Sequence, residues 1–394
     1  MPPPLTPPHK GEGDQLRAPQ RQSVDAGSPA LAGPVFPPPC GEGSGVGVLP
    51  AVVESAVTRA AALLSAANRP AILAGGGARR AEAQLRALAD ALGAPVVATV
   101  NARGLMHGHR LLVPASPSLV AVRRLIADAD AVLALGAEFG PTDPDMYAVG
   151  GFPEIANLIR VDIDPAQLAR GPSGLHLRGD AATTAAALLA RIAPRGRDGA
   201  ARAAATRIAA LAGLSPAYRA QIALLETIRD ALPGAIIAGD STQPVYAGNL
   251  FFDHDAHWFN SATGYGALGY ALPAAIGAAL ACPDRPVVSL IGDGGLQFCL
   301  AELGSLSDAQ VPVIVLVWNN AGYREIETSM LAAGVTPVGV SPSPPDFLAV
   351  AKAYGVHAER LSSAADLAPA LARARARNAP VLIDMPEGRM VGSE

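Results

Sequence analysis

The sequence predicts an α/β protein: two doubly wound parallel-sheet domains, one central and Rossmann-like and one with a ligand-binding face, following an unstructured N-terminal tail. Three observations carry this. From residue 52 onward, short apolar runs rich in Val, Ile, Leu and Ala alternate with segments of helical period, the pattern of strands buried on both faces between helices. The alternation breaks once, in an Arg/Ala/Gly-rich stretch around residues 196–214. The first fifty residues hold 12 of the 36 prolines and show neither period, so they bury too little apolar area to offset the entropy of ordering.

In chain order, residues 52–67 read as a helix and Pro70–Ala74 as a buried strand running into Gly75-Gly76-Gly77. Glu82–Leu92 is a helix, 95–99 a strand, 118–127 a helix, 131–135 and 158–163 strands, and 181–192 a closing helix. These make a first domain over 51–195. A linker, partly helical, covers 196–214, and the second domain spans 215–390. Its expected elements are a helix at 216–231, a strand at 235–238, and helices at 243–249 and 268–281. A strand at 286–291, a helix at 298–308 and a strand at 312–318 follow, then helix, strand, helix and strand at 345–354, 356–360, 364–375 and 380–383.

The composition removes several functions. With 30 basic and 34 acidic residues the net charge is −4, which leaves no global basic field for nucleic acid or an anionic membrane. Cys40, Cys282 and Cys299 are too few and too scattered for a disulfide framework or a metal cage. No apolar stretch near the start resembles a secretory signal. The longest uncharged stretch, residues 256–283, is broken by four glycines and by Pro273, so no membrane span is expected and the setting is cytoplasmic.

The chemistry concentrates near PVVSLIGDGGLQF and VPVIVLVWNNAGY. A buried strand ends in Gly292-Asp293-Gly294-Gly295, and glycines there let a ligand approach the backbone closely. Asp293 would repel a phosphate unless a cation lay between them. Asn320 follows 27 residues later, after one helix and one strand, so a right-handed crossover puts it beside Asp293 at the carboxyl edge of one sheet. A carboxylate, an amide oxygen and the carbonyl of Gly322 form a hard-oxygen set suited to Mg²⁺. A tight turn with a capping Asn would explain GDGG alone, but not its pairing with NNAGY at this spacing.

This segment resembles the diphosphate-binding domain of thiamine diphosphate enzymes in the acetolactate synthase and 2-oxoacid decarboxylase superfamily. The resemblance implies Mg²⁺ ligands at Asp293, Asn320 and Gly322, with the diphosphate near Gly292, Gly294 and Gly295. In GYGALG it implies that Leu268 wedges between the two cofactor rings and that the Gly266 carbonyl accepts a hydrogen bond from the aminopyrimidine. In GDSTQP it implies diphosphate contacts from Ser241 and Thr242. Glu325 stands close to where some decarboxylases carry an acid that protonates or orients the intermediate, offset by one position; it reads equally as a solvated helix residue.

Residues 51–195 resemble the central domain of the same enzymes. Acetolactate synthases bind FAD there through an Arg-rich motif, and this chain carries Glu138-Phe139-Gly140-Pro141-Thr142-Asp143-Pro144-Asp145 instead, which argues against FAD. Gly75-x-Gly77 is followed by Arg80 where a dinucleotide loop needs its third glycine, so NAD is a poor fit. The wording of GAEFGPTDPDMY and VDIDP is similar to the 5-guanidino-2-oxopentanoate decarboxylase branch, where Asp143 or Asp145 would suit a guanidinium. The resemblance implies decarboxylation or carboligation of a 2-oxoacid by a homodimer or homotetramer. It also implies an N-terminal pyrimidine-binding domain bearing a catalytic glutamate. Residues 1–50 do not resemble that domain, and Glu12 and Glu42 lack a strand to hold them. The expectation is therefore a truncated enzyme, a chain completed by a separate pyrimidine-domain partner, or a non-catalytic cofactor-binding subunit.

Overall fold

The computed structural model describes residues 52–140 and 151–391; the proline-rich start and Asp143 and Asp145 lie outside them. Among the described residues, twelve strands form two six-stranded sheets in which every pairing is parallel. The first sheet contains β1 (Pro70–Ala74), β2 (Val96–Ala98), β3 (Leu112–Val113), β4 (Ala131–Leu135), β5 (Leu158–Asp162) and β6 (Leu175–Arg178), in the order β3-β2-β1-β4-β5-β6. The second contains β7 (Ile236–Gly239), β8 (Trp258–Asn260), β9 (Val287–Gly292), β10 (Val313–Asn319), β11 (His357–Arg360) and β12 (Val381–Pro386), in the order β11-β12-β10-β9-β7-β8.

Burial on both faces explains why inner strands such as β1, β4, β9 and β10 read as unbroken apolar runs rather than alternating ones. In β1, Ile72 and Ala74 enter the core on one face while Ala71 and Leu73 enter the other. In β7, Ile237 packs with Trp258 and Trp318, and its neighbours Ile236 and Ala238 pack with Leu272 and Leu296. Each fully buried Leu or Ile contributes about 1.5–3 kcal/mol. The helices covering the sheets start at side-chain caps where the sequence supplies them: Ser215 Oγ accepts from Tyr218 N, and Asp180 Oδ1 from Thr183 N.

Three expectations change, and the partly helical linker gains definite bounds. The helix expected from 268 starts at Ala271, because Gly266 and Gly269 hold positive φ (73° and 83°) and the chain there is a loop. The helix expected at 298–308 is two short helices, Asp293–Phe298 and Glu302–Ala309; the first begins directly at the end of β9, so the glycine-rich stretch itself is helical. Helix Gly199–Ala212 occupies most of the expected linker, and it is held by buried Arg202, whose Nη2 donates to Pro70 O and whose Nε pairs with Asp198. The edge strands β3, β6 and β8 and helix Arg324–Ala332 were not expected: the strands are two to four residues long, and the helix buries no residue that would mark its face.

The two sheets are tied together directly. Arg103, buried in the first unit, donates from Nη1 to Ala98 O and from Nη2 to Asn249 O, both at 2.8 Å. An antiparallel bridge joins Ala115 to Phe251. Arg79 donates to Trp258 O and stacks over the Phe259 ring. Among the described residues no single helix is long and apolar enough to cross a membrane; the uncharged 256–283 stretch contains the 11-residue helix Ala271–Ala281.

Candidate active site

In the second sheet, chain order reverses across β7: β8 lies on one side and β9 on the other. Parallel α/β sheets bind ligands at the carboxyl ends of strands at such a reversal, and a cavity of about 270 Å³ opens there. Ser241, Thr242, Gly266, Leu268, Gly292, Asp293, Gly294, Gly295, Asn320, Gly322 and Glu325 all line it, so the cofactor- and metal-site residues singled out in the second domain converge on one place. Gln243, Tyr246 and Tyr323 line it as well.

The register accounts for the convergence. Gly292 at the end of β9 pairs with Trp318 near the end of β10, which brings Asp293 and Asn320 to the same edge. The Asp293 carboxylate is buried and accepts from the backbone N–H of Asn320 (3.4 Å) and of Gly322 (3.1 Å). Burial pushes its carboxyl above the ordinary range, and those N–H groups pull it partly back. Ala321 reaches φ 55° in the turn between them, a left-handed conformation that lets the amides on either side of it face one carboxylate while its own N–H turns to Asn319 Oδ1.

Asp240, just past β7, supports the cavity from behind. Its fully buried carboxylate accepts from the N–H groups of Gly269 (2.8 Å), Tyr270 (2.9 Å) and Ala271 (3.3 Å). One side chain thereby caps the Ala271–Ala281 helix and closes the loop bearing Gly266 and Leu268. Burial raises its pKa against the pull of those donors. The glycines leave room for these contacts: a Cβ on Gly295 would lie 2.2 Å from Asp240 Oδ2, and one on Gly294 2.5 Å from the Tyr323 ring. Ser241 Oγ is 3.1 Å from Ser261 Oγ, and Tyr246 also bonds to Ser241.

Gln243 links the remaining polar groups. Its Oε1 accepts from Trp318 Nε1 (2.9 Å) and from Asn320 Nδ2 (3.1 Å). Asn320 Oδ1 is buried with no hydrogen-bond partner. Burial raises the pKa of Glu325, and Gln243 lowers it. Glu387, just past β12, is also raised, first by burial and then by Glu325 and Asp293, against the pull of Arg324 and Gln243. Among the described residues no three His, Cys, Asp or Glu side chains are grouped to hold a metal ion. A cation in this cavity would rely on the mixed oxygen set around Asp293.

Asp240, Gln243 and Glu387 escaped the sequence reading. Asp240 caps a helix thirty positions away, which no local capping pattern reveals, and Glu387 comes near Glu325 only through the sheet. Gln243 lies inside the GDSTQP block, but its partners are 75 and 77 residues distant.

The first sheet holds a second cavity of about 260 Å³, lined by Gly76, Gly77, Glu138, Asp162 and Asp180 among others. The glycine run there serves backbone packing: a Cβ on Gly75 would stand 2.1 Å from Gly136 O.

Residues 239–385 match the family model described as thiamine pyrophosphate enzyme, C-terminal TPP binding domain. Residues 57–188 match the model described as thiamine pyrophosphate enzyme, central domain. The chain belongs to the thiamine pyrophosphate enzyme family. It is 41% identical over 309 residues to a probable 2-ketoarginine decarboxylase AruI of Pseudomonas aeruginosa, a match covering 76% of this chain and 55% of that protein. It is 33% identical over 294 residues to a benzoylformate decarboxylase of the same organism (70% and 52% covered). A Mycobacterium bovis acetolactate synthase is 30% identical over 360 residues (83% and 57% covered). The chain spans about half the length of these curated relatives. The cavity at β7, β9 and β10 falls within the TPP-binding match.

Proposed function

We propose that this cavity binds thiamine diphosphate with Mg²⁺, and that the chain, in an assembly with a second polypeptide, decarboxylates a 2-oxoacid or joins it to another carbonyl compound. The observation that carries the reading is the buried, unpartnered Asn320 Oδ1 beside the buried Asp293 carboxylate. An orphaned buried acceptor is costly, and next to an anion it is the environment a hard cation relieves. Asp293, Asn320 Oδ1 and the Gly322 carbonyl would hold Mg²⁺. Ser241 and Thr242 hydroxyls and the backbone at Gly292, Gly294 and Gly295 would meet the diphosphate. Leu268 and the Gly266 carbonyl, pinned by Asp240, would set the ring orientation. When bound, the cofactor supplies the carbon nucleophile and electron sink that 2-oxoacid chemistry needs.

Glu325 is the group of this chain best suited to hold and deliver a proton, because burial keeps its carboxyl protonated to higher pH than usual. Glu325 and Glu387 together also favour a substrate with a cationic tail: carboxyls whose pKa burial raises gain a counter-charge for their ionised form from a guanidinium. That agrees with the 2-ketoarginine named for one relative. Tyr265, fully exposed, and Phe298, two-thirds exposed, leave apolar surface by the loop. A second subunit, in a homodimer or homotetramer, or a separate pyrimidine-domain chain would cover it.

Calorimetry with thiamine diphosphate and Mg²⁺ tests the site, followed by an assay over a panel of 2-oxoacids with a pyrimidine domain supplied. Absence of binding, or binding unchanged in Asp293→Ala, would refute the assignment.

A further inference from the structure

Gln243 sits in the first turn of helix Gln243–Leu250 and touches two donors with one oxygen. The first, Trp318 Nε1, belongs to a fully buried indole, and an indole N–H can only donate. Gln243 must therefore turn its amide oxygen, not its nitrogen, toward Trp318. That choice dictates the next. An Asn320 side chain meeting the Gln243 oxygen must offer its NH₂, because its own oxygen would set two acceptors against each other. Asn320 Oδ1 is thus directed away from Gln243, and it ends buried and unpartnered. Left alone, an amide with an orphaned oxygen would flip to relieve it.

We propose that Gln243 is a positioning residue. It reads the obligate donor of Trp318 and locks the Asn320 amide in the one orientation that keeps Oδ1 available to a cation. The inference rests on the reading of this cavity as a thiamine diphosphate and Mg²⁺ site, and it adds a residue of the cavity wall that acts through Asn320. The relay also explains why a tryptophan ends an otherwise aliphatic strand: its N–H, rather than its bulk alone, sets the polarity of the amide pair.

The test uses the full chain. Gln243→Met keeps the length of the side chain and removes both hydrogen bonds, along with the amide that lowers the pKa of Glu325 and Glu387; Gln243→Glu keeps oxygen acceptors for both donors. Without ligand, the indole N–H resonance of Trp318 (one of two tryptophans) and the side-chain NH₂ resonances of Asn320 should both move in Gln243→Met. An unmoved Asn320 signal overturns the relay. With ligand, Gln243→Met should weaken thiamine diphosphate binding in the presence of Mg²⁺ about 10-fold by calorimetry, the scale of an outer partner to a metal ligand, while Gln243→Glu retains it. In a double-mutant cycle, Gln243→Met should add little once Asn320→Ala is present, since both act on one oxygen. Additive losses, or parent-like binding by Gln243→Met, overturn the positioning role. A parent chain that binds no thiamine diphosphate with Mg²⁺ overturns the site reading instead. Should Gln243→Met fail to fold, Trp318→Phe removes the same donor and keeps an aromatic in the core: weakened binding supports the relay and unchanged binding overturns it.

Discussion

At the scale of single residues, the site is held by buried polar groups whose pairing is complete on one side and open on the other. Asp293 spends its carboxylate on two backbone amides, so Asp293→Ala should do two things at once. It should weaken binding of thiamine diphosphate with Mg²⁺ by roughly 100-fold, about 2.7 kcal/mol, in calorimetry. It should also lower unfolding stability by about 1–3 kcal/mol, because the amides of Asn320 and Gly322 lose their acceptor. A second buried group acts on stability alone. His254 is enclosed against Phe252 and Trp258, and burial lowers its pKa from 6.5 to about 4. A histidine whose folded pKa is depressed favours the folded state above the unfolded pKa, and that advantage is lost as pH falls through the folded value. Between pH 7.5 and 4.5 the parent should lose about 2 kcal/mol more than His254→Gln, at about 1.4 kcal/mol per tenfold in proton affinity. Urea titrations of both proteins at the two pH values measure it, and equal losses would refute the account.

At the scale of elements, the glycines divide into those that make the site and those that merely occur in it. Gly295 lies in the first turn of the short helix after β9, where a Cβ would enter the Asp240 carboxylate. Gly295→Ala should therefore cost about 1–3 kcal/mol through overpacking and loosen the Asp240 cap on helix Ala271–Ala281. Gly277, inside that same helix, has open space around its Cβ position. Gly277→Ala should stabilise the protein by up to about 1 kcal/mol through helix propensity. Thermal unfolding of the two variants should move in opposite directions. Both glycines stand in short helices after a buried turn or loop; the packing around each Cβ separates them.

At the scale of the whole molecule, the described residues behave as one body because the sheets share buried bonds. Arg103 reaches carbonyls on both sides, and next to it Gly104, at φ 94°, lies so close to Ala256 that a Cβ would meet its carbonyl oxygen at 1.8 Å. Parent protein should unfold in a single calorimetric transition. Gly104→Ala should lose about 3 kcal/mol or more, by strain at a special backbone conformation, and should split or broaden that transition as the two sheets uncouple. A single sharp transition in the variant would show that the contact is not what joins them.

Much of this was legible beforehand because it is local. The strands at Pro70–Ala74 and Ala131–Leu135 and the helices Glu82–Leu92 and Pro216–Ala231 match their expected bounds, since buried apolar runs, caps and periodicity act within a few residues. The motif spacing was legible for the same reason: one strand–helix–strand unit separates Asp293 from Asn320, and chirality leaves them a single common edge. Less was legible where contacts are distant. Strands β3, β6 and β8 exist because a neighbouring strand offers its edge, not because two to four residues prefer extension. By itself the sequence determined two parallel α/β sheets and the set of residues at the carboxyl edge of the second. Only the tertiary structure decided which way each side chain there faces. Asp240 capping a helix thirty residues on, and Trp318 orienting Asn320 through Gln243, are hydrogen bonds between groups remote in sequence, and their partners exist only once the sheet has assembled.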